Sequence, residues 1–360
     1  MLQRSRRPCK TIRLPDCQSR QPPRPGRRGR QRRDDVVHLA AKRLSGDRVR
    51  RRISAAQSAS TAIIRSKPSA RLLLVPSQEL NEIVLGVLGR AQRLYKVRIC
   101  GFVALSNHVH ALLWVDDALQ LATFMGYFAS NLAREIARLT GWTDKIWARR
   151  YQAIVTSDEE AAQTARFEYL LANGVKEGLV ERVRDWPGVH CVRNLLEGEP
   201  LEGLWFDRTK EYSARNRGKT ISPGQFATTE TVTLSPLPCW EHLSPEQIRA
   251  RVEAIVQRIE ETAAKDREES GSAALGAAAV CAQEHIDQPA RPKKSPAPLF
   301  HAFTRRVRRE LSEAYHLVLA AFRDAADRLR AGDRTARFPQ GSFPPALPFV
   351  SALAPLGASG

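Results

Sequence analysis

An apolar run over residues 99–115 is broken once, by Ser106 and Asn107. That break constrains the fold more than any other feature of the chain. It divides the run into two strands, 97–105 and 108–115, joined by a tight turn and paired antiparallel. The second strand opens His108-Val109-His110. Residues i and i+2 of a strand point to the same face. The two imidazoles therefore stand side by side, where a single metal ion fits between them.

The flanks of this hairpin have helical spacing. Ser77 caps a helix whose apolar residues are Leu80, Ile83, Val84, Val87, Leu88, Ala91 and Leu94, the pattern of a helix packed on a core. After the hairpin, Leu121, Phe124, Met125, Phe128, Leu132, Ile136 and Leu139 form a second stripe, ended by Gly141. Residues 151–156 read as a strand. Ser157 and Glu160 form a capping box for a third helix, with Gly174 where it should stop. A first strand falls at 61–65 or at 71–75. The order strand, helix, strand, strand, helix, strand predicts an α+β fold: a ferredoxin-like antiparallel sheet with helices on one face. Its other face is left open for a substrate and for the two histidines.

The third helix carries Tyr169 and Asn173, four apart and so on one face. A phenol near a metal is suited to phosphodiester chemistry, with the phenol as nucleophile and the metal polarising the phosphate. A phenol of pKa about 10 is mostly protonated at neutral pH and needs such activation.

Charge points the same way. Formal net charge is +19, and residues 1–55 hold 18 Lys and Arg against 4 Asp and Glu. Residues 1–58 read either as a disordered basic arm attracted to phosphates or as a misassigned start with no selected role. The remainder is mildly basic, the sign expected of a nucleic-acid enzyme. Six scattered cysteines without a C-x-x-C spacing read as reduced thiols rather than a zinc site or disulfide framework. No apolar run reaches membrane-spanning length, so the expected location is the cytoplasm, near the nucleoid. The expected organisation is a catalytic domain over 59–190 and an irregular connector over 191–243. A mostly helical C-terminal extension over 244–350 follows, with an internal linker near 268–290. Ser244-Pro245-Glu246-Gln247 starts one of its helices. A last helix spans about 299–330, with Phe303, Val307, Leu311, Tyr315, Val318, Phe322 and Leu329 on its stripe and Arg305, Arg306, Arg308 and Arg309 in its first turns.

Asn107-His108-Val109-His110, followed by Tyr169-Leu170-Leu171-Ala172-Asn173-Gly174-Val175-Lys176-Glu177-Gly178-Leu179-Val180, resembles the IS200-like and REP-associated tyrosine transposases of the HUH single-stranded DNA endonuclease superfamily. Trp147-Ala148-Arg149-Arg150-Tyr151 resembles the aromatic-basic segment between those motifs. The resemblance covers about residues 70–190. It departs at Ser106 and Gly174, where the family usually has proline, and in a faint first strand over 56–70. It implies His108, His110 and Asn173 as ligands of Mg²⁺ or Mn²⁺, and Tyr169 as the nucleophile. Arg149, Arg150 and Lys176 are the expected DNA contacts. The implied partner is single-stranded or hairpin DNA with REP-like palindromes, bound by a monomer or homodimer.

Each residue also has a plainer reading. Tyr169 alone would be a core tyrosine, and Asn173 alone a helix C-cap. Tyr127 and Tyr151 are rival phenols that read as packing residues, as do Trp114 and Trp147. His190, His242, His285, His301 and His316 lack partner spacing and receive no function. Two readings follow: a tyrosine transposase or nickase, and a relative that binds hairpin DNA without cutting it. An RNA-binding ferredoxin-like domain ranks below both, because the aromatic-rich strand motif is absent.

Overall fold

The computed structural model describes residues 60–65, 71–147, 150–222, 224–288 and 300–345. The basic arm over 1–58, the segment 66–70 and Arg149 lie outside the described residues.

The hairpin forms as the sequence dictates. Strands β2 (Arg98–Leu105) and β3 (His108–Trp114) pair antiparallel with Leu105 opposite His108, so Ser106 and Asn107 make the turn. A register shift between Ile99 and Gly101 bulges β2. Strand β1 (Ser60–Arg65) takes the first of the two sequence alternatives; residues 71–75 form a turn, with Leu72, Leu73 and Leu74 buried. β1 pairs antiparallel with β3 and with β4 (Gln152–Thr156). The sheet order is β2-β3-β1-β4, extended past β4 by the two-residue strand β7 (Phe300–His301), which runs parallel to it. This is the ferredoxin-like order with one added edge strand.

Helices α1 (Gln78–Tyr95) and α2 (Ala118–Thr140) pack on one face. Leu88 from α1 and Phe124, Met125 and Phe128 from α2 meet Phe102, Val109 and Ala111 of the hairpin. The caps follow the sequence. Ser77 and Asp117 accept the N–H groups of Leu80 and Gln120, and Gly141 closes α2 at φ 67°. Leu94, in the last turn of α1, is exposed rather than buried.

The second face is not bare. Helix α3 (Glu160–Leu171) crosses it, and a side chain at Gly101 of β2 would meet Phe167, Leu170 and Cys191. Burial on both faces explains the unbroken apolar character of β2. The expected capping box of α3 does not form. Glu159 is the N-cap, without a side-chain cap bond. Its carboxylate instead accepts the Ser157 hydroxyl and the N–H groups of Phe303 and Thr304. Distant backbone donors outcompete the local box. The C-terminus of α3 also differs from expectation. The helix ends at Leu171, and α4 (Asn173–Lys176) follows directly. Gly178, at φ +68°, turns the chain, while Gly174 lies against Trp186 and Val180.

The stretch read as an irregular connector holds α5 (Val192–Glu197), α6 (Arg208–Asn216) and a hairpin of β5 (Glu202–Phe206) and β6 (Ala227–Thr231). The hairpin packs on the outer side of α1. Helix α7 (Pro245–Ser270) starts with the expected capping box and proline, and it backs α3. There Trp240 meets Phe167 edge-on at 5.5 Å and Arg258 pairs with Glu168. Within the stretch read as a linker, α8 (Ala277–Cys281) buries Val280. The last helix, α9 (Arg305–Arg330), starts later than expected because Phe300 and His301 join the sheet. Phe303 thus falls outside its stripe and is exposed, whereas Leu319 and Phe322 are buried. No described helix is long and apolar enough to cross a membrane.

Candidate active site

The pleat of β3 decides where the histidines go. Val109 and Ala111 face α1 and α2, so His108 and His110 face the opposite way, toward α3. Their ring centroids are 4.6 Å apart. His110 is 2% exposed, and His108 is half-buried at the mouth of the hairpin turn. Asn107 Oδ1 lies in short contact with His108 Nδ1. An amide oxygen only accepts, so Nδ1 carries the proton and the lone pair stands on Nε2. An outer partner of this kind sets the tautomer and ring orientation of a metal-binding histidine.

Tyr169 reaches this pair from α3. Its ring centroid is 6.0 Å from that of His110, and the residue is half-buried rather than sealed in the core. Two cations flank the same ring: the Arg166 guanidinium carbon at 4.1 Å and Lys176 Nζ at 4.4 Å from its centre. Arg166 precedes Tyr169 by three residues and so shares its side of the helix. Lys176 arrives from α4, and its side chain is exposed. Arg166 also bonds outward, with Nη1 2.6 Å from His301 Nε2 on β7. Sequence spacing points to neither Arg166 nor His301. A basic residue one turn before the tyrosine is the one local signal, and nothing local marks His301.

Asn173 is buried at 3% exposure, and its Nδ2 donates to the carbonyls of Tyr169 at 2.9 Å and Leu170 at 3.0 Å. The amide nitrogen thus satisfies carbonyls that the end of α3 leaves over. The amide oxygen is the atom a cation could use. Arg150 is exposed, 5.9 Å from the Phe343 ring centre. The rival phenols belong elsewhere. Tyr127 packs on Tyr95 at 5.8 Å, and burial raises the Tyr151 hydroxyl above its usual range, with Arg150 opposing. Trp147 Nε1 donates to Ala129 O, and Trp114 lies under Arg98.

Among the described residues no group of three or more His, Cys, Asp and Glu gathers as a metal cluster. The two imidazoles alone form a sparse donor set. That set suits a divalent cation whose remaining positions are filled by water or phosphate oxygens.

Residues 70–169 match the sequence model of the family described as "Transposase IS200 like". No curated protein matches the chain. Among solved structures, a REP-associated tyrosine transposase bound to a REP hairpin is 18% identical, with 41% of this chain and 85% of that one covered and a TM-score of 0.32. A protein described as a transposase from Deinococcus radiodurans is 15% identical, with 32% and 90% covered and a TM-score of 0.25. The matched stretch holds both histidines and runs to the tyrosine, so over residues 70–169 this chain is similar to the IS200-like transposases.

Proposed function

We propose that this chain is a metal-dependent tyrosine transposase of the HUH type. It cuts and rejoins single-stranded or hairpin DNA through a 5′-phosphotyrosine link. One observation carries the reading: two imidazoles from β3 and a phenol from α3 converge, with successive ring centroids 4.6 Å and 6.0 Å apart. Tyr169 Oη attacks the scissile phosphorus as its proton passes to solvent. The P–O3′ bond breaks, and the 3′-oxygen leaves as a hydroxyl with a proton from solvent. Rejoining is the reverse, a 3′-hydroxyl displacing the tyrosine. The ester retains the bond energy, so no ATP is needed.

His108 through Nε2, His110, and Asn173 through Oδ1 would hold Mg²⁺ or Mn²⁺, which when bound offsets the charge building on the phosphate. Lys176, beside the phenol, would meet the DNA backbone, as would Arg149 and Arg150, which precede β4 in the sequence. REP-like palindromes are the proposed substrates, bound by a monomer or homodimer in the nucleoid.

Incubation of the full chain with a hairpin-tailed oligonucleotide and Mn²⁺ tests this. A covalent protein–DNA adduct should survive denaturing electrophoresis, disappear in Tyr169→Phe, and fall at least about a hundredfold in His110→Ala. Tight binding without an adduct would identify a DNA-binding relative that does not cut.

A further inference from the structure

Among the described residues, the C-terminal extension reaches the site through the contact between His301 and Arg166. A guanidinium only donates, so His301 Nε2 accepts from Arg166 Nη1 across 2.6 Å, and the imidazole must be neutral to do so. Burial, reinforced by the charge of Arg166, pulls His301 down to about 4, so it is neutral at physiological pH.

The strand holding this imidazole is anchored along β4 and the residues that follow it. β7 pairs with β4, and Ser157 N donates to His301 O at 2.8 Å. Just beyond the strand, the Glu159 carboxylate accepts the backbone N–H groups of Phe303 and Thr304. Glu159 ends one β–α junction and clasps another, so β7 moves with the start of α3.

The choice of an imidazole has a consequence. Among the described residues no Asp or Glu pairs with Arg166, unlike Arg258 on Glu168 or Arg208 on Glu135. A carboxylate would orient the guanidinium but also cancel its charge. A neutral imidazole orients it and leaves the charge whole. That charge lies 4.1 Å from the Tyr169 ring centre, half-buried, where screening by water is weak.

We propose that Arg166 is a catalytic cation for the tyrosine step and that His301, supplied by the C-terminal extension, is its positioning residue. The proposal rests on Tyr169 being the nucleophile. Arg166 holds a positive charge over the Tyr169 ring, and so stabilises the charge that builds on the phenol side as the new P–O bond forms. His301 keeps the guanidinium on the ring instead of in solvent.

The test uses the full chain, a hairpin-tailed oligonucleotide and Mn²⁺, with adduct formation followed at varied DNA concentration. His301→Ala should lower the maximal rate about tenfold with KM changed less than about twofold, and Arg166→Ala should lower it at least as much. His301→Gln, which keeps a neutral acceptor, should recover to within about threefold of the unaltered chain. The double variant should be no slower than Arg166→Ala alone, because His301 acts only through Arg166. A second measurement reads the contact itself: the His301 titration, followed by NMR, should shift upward in Arg166→Ala. Equal maximal rates for His301→Ala and the unaltered chain, with Tyr169→Phe inactive, overturn the proposal alone. So do additive losses in the double variant, or equal losses in His301→Ala and His301→Gln. Absence of an adduct from the unaltered chain removes the nucleophile reading and this proposal together.

Discussion

His190 shows what one enclosed imidazole does to the acid response of the molecule. Its backbone bridges to Val103 of β2, and its Nδ1 accepts the Val192 N–H at 3.0 Å. Burial pulls it down to about 4, opposed by the backbone of Leu171. An unfolded histidine titrates near 6.5. Above that value the ring is neutral in both states and stability is unaffected. As pH falls from about 6.5 to 4, the unfolded chain takes up a proton that the folded one refuses, and stability is lost. The loss from His190 is on the order of 2–3 kcal/mol at pH 4. His301 acts with the same sign in the same window. Glu159 acts lower. Its hydrogen bonds to Thr304 and Ser157 hold it at about 2, so its contribution is present above the ordinary carboxyl value and lost only as pH falls below that value toward 2. The melting temperature should therefore drop between pH 6.5 and 4, and His190→Gln should flatten part of that drop. Parallel curves for the two proteins would refute the burial account.

Among elements, the seat of the β5–β6 hairpin on α1 is the closest fit. A Cβ on Gly203 would collide with Glu82 O, and one on Gly86 with the Leu204 carbonyl. Neither neighbour is a flexible side-chain tip, so the backbones must part. Gly203→Ala should cost about 1–3 kcal/mol, read as a lower urea midpoint; an unchanged midpoint would mean the hairpin does not seat there. This element also marks the limit of what the sequence discloses. The β2–β3 hairpin and helices α1, α2 and α7 are legible because each repeats a strong apolar period and ends on a recognisable cap. β6 reads Ala-Thr-Thr-Glu-Thr, and its burial comes from a neighbour far away in the chain. β7 has two residues and no period at all. The site divides the same way. His108 and His110 share a strand face and Tyr169 sits in a run that resembles a known family, so all three stand out in the sequence as candidates. Arg166 and His301 are 135 positions apart, and only the folded sheet edge joins them.

For the whole molecule, charge and chemistry occupy different parts of the chain. Of the formal +19, residues 1–55 account for 18 Lys and Arg against 4 Asp and Glu, a net +14. The histidine pair, the tyrosine and its flanking cations all lie beyond residue 100. If the arm attracts phosphates without taking part in the reaction, its removal separates affinity from turnover. Deleting residues 1–55 keeps β1 and should weaken hairpin binding at low salt. The slope of log affinity against log salt should shrink by about 0.7–0.9 for each phosphate that the arm no longer neutralises. At saturating DNA the adduct should form at an unchanged rate, since the histidine pair, the tyrosine and its flanking cations are all kept. An unchanged salt slope would show that the DNA is held by the folded part of the chain, with Lys176, Arg150 and the first turns of α9 as the remaining basic surface. A slower adduct at saturation would instead place part of the arm at the phosphate itself.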